Sequence, residues 1–194
     1  NGELVSWPGT KMPLNDEGLY SYTIKQSSET GFNIIFNNAS GIQTGDIIAI
    51  DPKFEITPSG YIKTRFLDDK ASAFLLLELL RYLKEQNITP ENNLKLIFST
   101  YEEVGFGASN IPNINEMLAV DMGCIGLDLN CTEEQVSICA KDSGGPYDYD
   151  MTSKLIELAK ANNISYAVDI YPFYSSDATA SLRAGNDIKA ALIG

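Results

Sequence analysis

The stretch Leu94-Lys95-Leu96-Ile97-Phe98-Ser99-Thr100-Tyr101-Glu102-Glu103-Val104-Gly105 decides the reading of this chain. Leu94–Thr100 is mostly apolar and reads as a buried strand. It runs directly into two adjacent carboxylates and a glycine. Neighbouring side chains on a strand point to opposite faces, so Glu102 and Glu103 can address one place only if the strand has ended. Gly105 and Gly107 make such a turn available. In open α/β sheets, ligands and chemistry gather at the carboxyl ends of strands. Two further acidic positions have the same setting. Asp68-Asp69 stands between the extended run Tyr61–Phe66 and a leucine-rich helix, and Asp121 closes the apolar run Met117-Leu118-Ala119-Val120.

Outward from this stretch, the chain from residue 63 onward alternates helix and strand. Residues 68–86 read as a helix with Ala73, Leu76, Leu80 and Leu83 on one stripe and Glu78, Arg81 and Glu85 on another. Phe74, Leu75, Leu77 and Leu79 widen its apolar arc, which predicts a helix covered over much of its surface. Met117–Asp121 and Gln135–Ala140 read as strands. Asp148–Asn163 reads as an amphipathic helix with Met151, Leu155 and Leu158 inward. Ser165–Tyr171 is a strand, Ser176 caps a helix ending at Gly185, and Asp187–Ile193 is a last strand. The fold class that follows is α/β, a mostly parallel sheet with helices on both faces, over residues 63–194. Residues 1–62 differ. Tyr20–Lys25, Phe32–Asn37 and Asp46–Ile50 are short β-type runs punctuated by Gly, Ser and Pro, which predicts a small β-rich barrel or sandwich.

Composition excludes several function classes. The chain has 194 residues, a net charge of −12 and 44% apolar residues, enough for a core and too acidic for a phosphate-binding surface. No nucleic-acid partner is expected. No apolar run approaches the length of a membrane span, so no membrane partner is expected either. Cys124, Cys131 and Cys139 are odd in number and match no metal-knuckle spacing. They fit reduced thiols in a cytoplasmic protein. The start, Asn1-Gly2-Glu3-Leu4, is neither a signal peptide nor an initiating methionine, and reads as a beginning in mid-protein.

Each acidic position has an ordinary explanation when taken alone. Asp68-Asp69 would cap a helix, Glu102-Glu103 would be a solvated loop, and Asp121-Met122-Gly123 a turn. Together they fall at carboxyl ends of strands, along one edge of a parallel sheet. That much negative charge at close range is costly, and a divalent cation or a pair of them offsets it. One carboxylate can bridge two metals, and a spare glutamate can act as general base. Zinc prefers nitrogen or sulfur donors, and this chain contains no histidine. On its own residues the site suits Mg²⁺, Mn²⁺ or Ca²⁺ better.

Phe66-Leu67-Asp68-Asp69-Lys70-Ala71, Tyr101-Glu102-Glu103-Val104-Gly105 and Ala119-Val120-Asp121 resemble the motifs of a known family. It is the glutamyl-aminopeptidase and deblocking-aminopeptidase family of dinuclear metallopeptidases, some members of which carry an endoglucanase label. Ser40-Gly41-Ile42-Gln43-Thr44-Gly45-Asp46 and Tyr174-Ser175-Ser176-Asp177-Ala178 extend the resemblance over nearly the whole chain. The resemblance implies that Asp68 bridges two divalent ions (zinc, or cobalt or manganese), that Glu103 and Asp121 are terminal metal ligands, and that Glu102 is the general base. Asp177 would orient the substrate amine or support the ligands. It further implies a peptide substrate, a homo-oligomer, and an identity for residues 1–62 as part of a β-barrel insert domain. The chain departs from the pattern at Lys70, where the family usually has Arg, and in lacking the family's two histidine ligands. The expectation is an internal fragment with little metal and no peptidase activity of its own.

Two other readings stand beside the metallo-aminopeptidase. One is a glycoside hydrolase using Glu102 and a second acid, which needs two carboxyls about 5–9.5 Å apart across a sugar cleft. The other is a non-catalytic module that kept the fold.

Overall fold

The computed structural model describes residues 52–194 and, before them, the backbone of four strand segments. The chain forms two compact units, Asn1–Leu67 and Asp68–Gly194. In the first, β1 (Val5–Ser6) pairs antiparallel with β2 (Thr10–Lys11). β3 (Tyr22–Gln26) pairs antiparallel with β4 (Phe32–Phe36), with Ile24 opposite Ile34. β5 (Glu55–Ile56) and β6 (Ile62–Lys63) form a third antiparallel pair. Their connection turns at Gly60, whose φ of +91° is one that glycine adopts without steric cost. The expected strand at Asp46–Ile50 lies outside the described residues.

The second unit carries α1 (Leu67–Glu85), β7 (Glu116–Val120), β8 (Val136–Asp142), β9 (Gly145–Pro146), α2 (Tyr149–Ala161), β10 (Tyr166–Ile170), α3 (Asp177–Arg183) and β11 (Lys189–Ile193). The strands lie in the order β10-β8-β11-β7, with β9 hairpinned onto β8. The long registers, β10 on β8 and β11 on β7, are parallel. The antiparallel pairings, β11 with β8 and β9 with β8, extend over two positions each. The sheet is mostly parallel, as the helix–strand alternation predicts. In β11 the consecutive residues Ala190, Ala191 and Leu192 are all buried, so both faces of that strand are covered. Ala190 and Leu192 pack with Ala119, Cys139, Tyr147, Tyr171 and Ala178 in the core.

Three expectations change. Leu94–Thr100 takes part in no β-ladder among the described residues and is not buried: Phe98 is 50% exposed, and Leu94 and Ile97 are exposed too. Its apolar pattern is that of a strand, but a strand exists only where a partner supplies the ladder. The wide apolar arc of α1 is likewise open, with Phe74 60% exposed and Ser72 its one buried residue. In α2 the buried side chains are Thr152 and Ala159, while Leu158 is 48% exposed. The helix is rotated so that its small residues meet the sheet, which permits close approach.

Candidate functional site

Asp68 and Asp69 open α1, joined by a cis peptide bond, and neither has helical backbone angles. The regular helix begins after them, and this break turns both carboxylates away from the helical repeat. Asp69 accepts hydrogen bonds from the hydroxyl and backbone N–H of Ser72, three residues on, as a capping aspartate does. The Ser72 hydroxyl also lies 3.3 Å from the Asp121 carbonyl, so its single proton is shared between the two acceptors. Asp121 follows the last residue of β7. Its N–H is held by the Ile193 carbonyl of β11 at 2.9 Å, and its Oδ1 accepts from the Met122 N–H at 2.7 Å. The residue is 8% exposed. Asp68, Asp69 and Asp121 each offer a carboxylate oxygen, and these three oxygens lie within 4.8 Å of one another.

Glu102 and Glu103 sit on a single 3₁₀ turn, Glu102–Val104, closed by Gly105 at φ +81°. The turn separates the pair, leaving Glu102 half-buried and Glu103 exposed. Burial raises the Glu102 carboxyl to about 7, helped by the charges of Asp121, Asp177, Glu103 and Asp68 in that order. Asp69 rises to about 6, again from burial first, with Asp121 and Asp68 adding to it and Ser72 opposing it. Asp68 is raised by burial and by Asp121 and Glu103. These six carboxylates, Asp68, Asp69, Glu102, Glu103, Asp121 and Asp177, therefore act on one another through space. The compact set of three contains Asp69 and not Glu103. The resemblance names Glu103 as the ligand in that place, while Asp69 reads in the sequence as the second half of a capping pair.

Asp177 begins α3. Its Oδ2 accepts from the Ser99 hydroxyl at 2.5 Å, and its Oδ1 is buried with no hydrogen-bond partner among the described residues. Gly107 lies against it: a Cβ there would stand 2.1 Å from Asp177 Oδ1 and 2.8 Å from Ser99 Oγ. The base of α3 is fixed by a buried network that sequence reading did not single out. Asp142, fully buried, accepts from the Tyr147 hydroxyl at 2.6 Å, from the Gly144 N–H at 2.7 Å and from the Thr179 hydroxyl. Tyr147 also meets the Ser176 hydroxyl at 2.7 Å. A second residue missed was Tyr174, whose hydroxyl is buried and has no partner among the described residues. It opens the Tyr174–Ala178 motif quoted above, but only Asp177 in that motif is given a role.

Residues 37–194 match the family described as M42 glutamyl aminopeptidase. The chain belongs to that family. It is 47% identical over 156 residues to the Bacillus subtilis (strain 168) protein named "Putative aminopeptidase YhfE", covering 79% of this chain and 45% of that one. The fold is that of the TET aminopeptidase from the marine sediment archaeon Thaumarchaeota archaeon SCGC AB-539-E09. That match has a TM-score of 0.74 at 16% identity, over 99% of this chain and 61% of that one. Pyrococcus horikoshii TET1 peptidase, reported to assemble into a tetrahedron or a large octahedral shell, matches at TM-score 0.68 and 19% identity, over 98% of this chain and 61% of that one. This chain thus spans less than two thirds of these relatives' length.

The first residues point elsewhere as well. Residues 1–48 match starch-binding module 26. An alpha-amylase of Butyrivibrio fibrisolvens is 45% identical over 47 residues, 24% of this chain and 5% of that protein. The starch-binding match lies N-terminal to every carboxylate of the cluster, so it lends nothing to a glycosidase built on Glu102. Sequence reading treated residues 1–62 as one unit and drew no boundary near residues 37–48, where the two matches overlap.

Proposed function

We propose that these residues supply the carboxylate part of the site of a metal-dependent aminopeptidase. The observation that carries this reading is the set of three carboxylate oxygens from Asp68, Asp69 and Asp121 within 4.8 Å of one another, in a chain of the M42 family. The donors are all oxygen, which fits a divalent cation of the Mn²⁺ or Mg²⁺ kind. No histidine occurs in the chain, so it offers zinc or cobalt no imidazole. Asp68 is the candidate bridge between two ions, Asp121 and either Asp69 or Glu103 the candidate terminal ligands. A divalent cation bound there would polarise a peptide carbonyl and make water more acidic.

The chain's own residues do the rest. Glu102, raised to about 7, can accept a proton near neutral pH and release it again, as a general base must. Asp177, anchored by Ser99, is the candidate acceptor for a substrate amine or a support for the ligands. The substrate would be the N-terminal residue of a peptide, the compartment cytoplasmic and the assembly a homo-oligomer. The family membership and the shells reported for TET relatives support these readings, and no described helix is long and apolar enough to cross a membrane. Hydrolysis of aminoacyl-p-nitroanilides tests the reading, in protein carrying whatever sequence natively flanks these residues. Glu102→Gln should abolish turnover and leave bound metal in place. A Glu102→Gln protein that turns over as wild type would overturn it.

A second reading concerns the first 48 residues alone. Their similarity to starch-binding module 26 supports binding of an α-glucan. Trp7 is the chain's one tryptophan and lies in this segment, so its fluorescence should change on adding maltooligosaccharides. Unchanged fluorescence, with no cosedimentation on insoluble starch, would sink it.

A further inference from the structure

We propose that Ser99 and Asp177 form a clamp that positions Glu102: the Asp177 carboxylate holds both ends of the loop, residues 99–107, on which Glu102 sits. The inference rests on the reading of Glu102 as the general base. The loop has few attachments of its own. Its turn is shaped by local bonds, from the Gly105 N–H to the Glu102 carbonyl at 2.8 Å and from the Phe106 N–H to the Tyr101 carbonyl at 3.0 Å. Among the described residues, the backbone hydrogen bonds of residues 101–109 all end inside that stretch. Tyr101, Val104 and Phe106 are exposed, so apolar packing does not press the turn onto the sheet. The residues leading into it, 94–100, join no β-ladder among the described residues.

Both ends of the loop meet at one carboxylate. Ser99 donates its hydroxyl to Asp177 Oδ2 at 2.5 Å, across 78 positions of sequence. Gly107 closes on the other oxygen. A Cβ there would stand 2.1 Å from Oδ1, so the absence of a side chain is what lets the chain pass this close. The carboxylate is fixed in turn from the side of α3. Asp177 opens that helix, in which Ala178, Thr179 and Ser181 are buried. Ser176 stands at the N-cap position and makes no side-chain cap. Its buried hydroxyl instead meets Tyr147 at 2.7 Å, and Tyr147 donates to the buried Asp142. The loop that carries Glu102 is thereby tied to the network under α3 through the Asp177 carboxylate. A general base works only within reach of the proton it takes, and a displacement of about 1 Å costs about 100-fold in rate.

Two measurements test the clamp: amide hydrogen exchange of the chain, and turnover of an aminoacyl-p-nitroanilide by the protein with its native flanking sequence. Ser99→Ala removes only the hydroxyl. The amides of Gly105 and Phe106 should then exchange about tenfold faster or more, while those of α2 keep the wild-type rate. In the flanked protein the same change should lower kcat about 10–100-fold, with KM and bound metal within about twofold of wild type. Asp177→Asn keeps an oxygen that can accept from Ser99, and should retain most of the wild-type kcat. A fall in kcat as large in Asp177→Asn as in Ser99→Ala overturns the clamp, since charge rather than the hydrogen bond would then be at work. Unchanged exchange in Ser99→Ala overturns this inference alone, and so does faster exchange with wild-type kcat. No turnover by the flanked wild type, or full turnover by its Glu102→Gln variant, overturns it together with the general-base reading.

Discussion

Glu102→Gln should stabilise the metal-free chain, and only above a certain pH. A carboxyl raised in the folded state from 4.5 to about 7 opposes folding once it ionises. Each pH unit of displacement is worth about 1.4 kcal/mol, which sets an unscreened ceiling of about 3 kcal/mol for this group. Glu102 is only half-buried, and solvent screening lowers the figure to about 1–2 kcal/mol. The stability lost by the wild type is fully present below pH 4.5 and disappears as pH rises through 7. Glutamine has no proton to lose, so the two proteins should melt together near pH 4.5 and separate up to pH 8. At about 2–4 °C per kcal/mol for a chain of this size, the gap should reach roughly 2–8 °C. Thermal melts in EDTA across this range would show it. Burial is the larger cause of the shift, so high salt should narrow the gap without closing it. A gap that does not depend on pH, or a glutamine variant that melts lower at pH 8, would refute the reasoning.

Gly107→Ala places a Cβ within 2.1 Å of Asp177 Oδ1, and the carboxylate must move off Ser99. A loss of about 1 kcal/mol is expected by calorimetry, and an unchanged melt would show that the contact is soft. Asp142→Asn leaves a buried network with one acceptor too few. It should cost about 2–4 kcal/mol in denaturant titrations, and a cost under half of that would mean the asparagine is accommodated. With oxygen donors and no imidazole, the chain should bind Zn²⁺ no more than about tenfold more tightly than Mn²⁺ in competition titrations. A zinc preference of several orders of magnitude would mean that other donors reach the ion.

The helix–strand alternation after residue 63 was legible because period and punctuation agree there. β7, β8, α2, β10, α3 and β11 all fall within a few residues of their expected places. Leu94–Thr100 failed for a reason periodicity does not contain. Its run of apolar residues reads as that of a buried strand, but a ladder depends on a second segment, and a pattern along one segment says nothing about its partner. The inward face of α2 failed similarly, because Leu158 outranks Ala159 in hydrophobicity while Ala159 fits closer to the sheet. In the site, acidic residues announce themselves at element ends. The groups that hold them do not: Ser99, Gly107, Asp142 and Tyr174 are brought to α3 and its approach by contacts between distant parts of the chain.

The carboxylates also explain why the two readings of Asp69, helix cap and metal ligand, need not compete. A capping aspartate accepts from the N–H three residues on, and Asp69 does so at Ser72. The same serine reaches across to the Asp121 carbonyl, so the start of α1 is tied to the end of β7 through one side chain. The cap that starts the helix therefore also sets the distance between Asp69 and Asp121. Burial and mutual repulsion raise Asp68, Asp69 and Glu102 together, a strain that a bound cation would relieve. Were an ion to bind there, its binding and the stability of this corner would be one equilibrium, with affinity lost as the carboxylates take up protons below neutral pH.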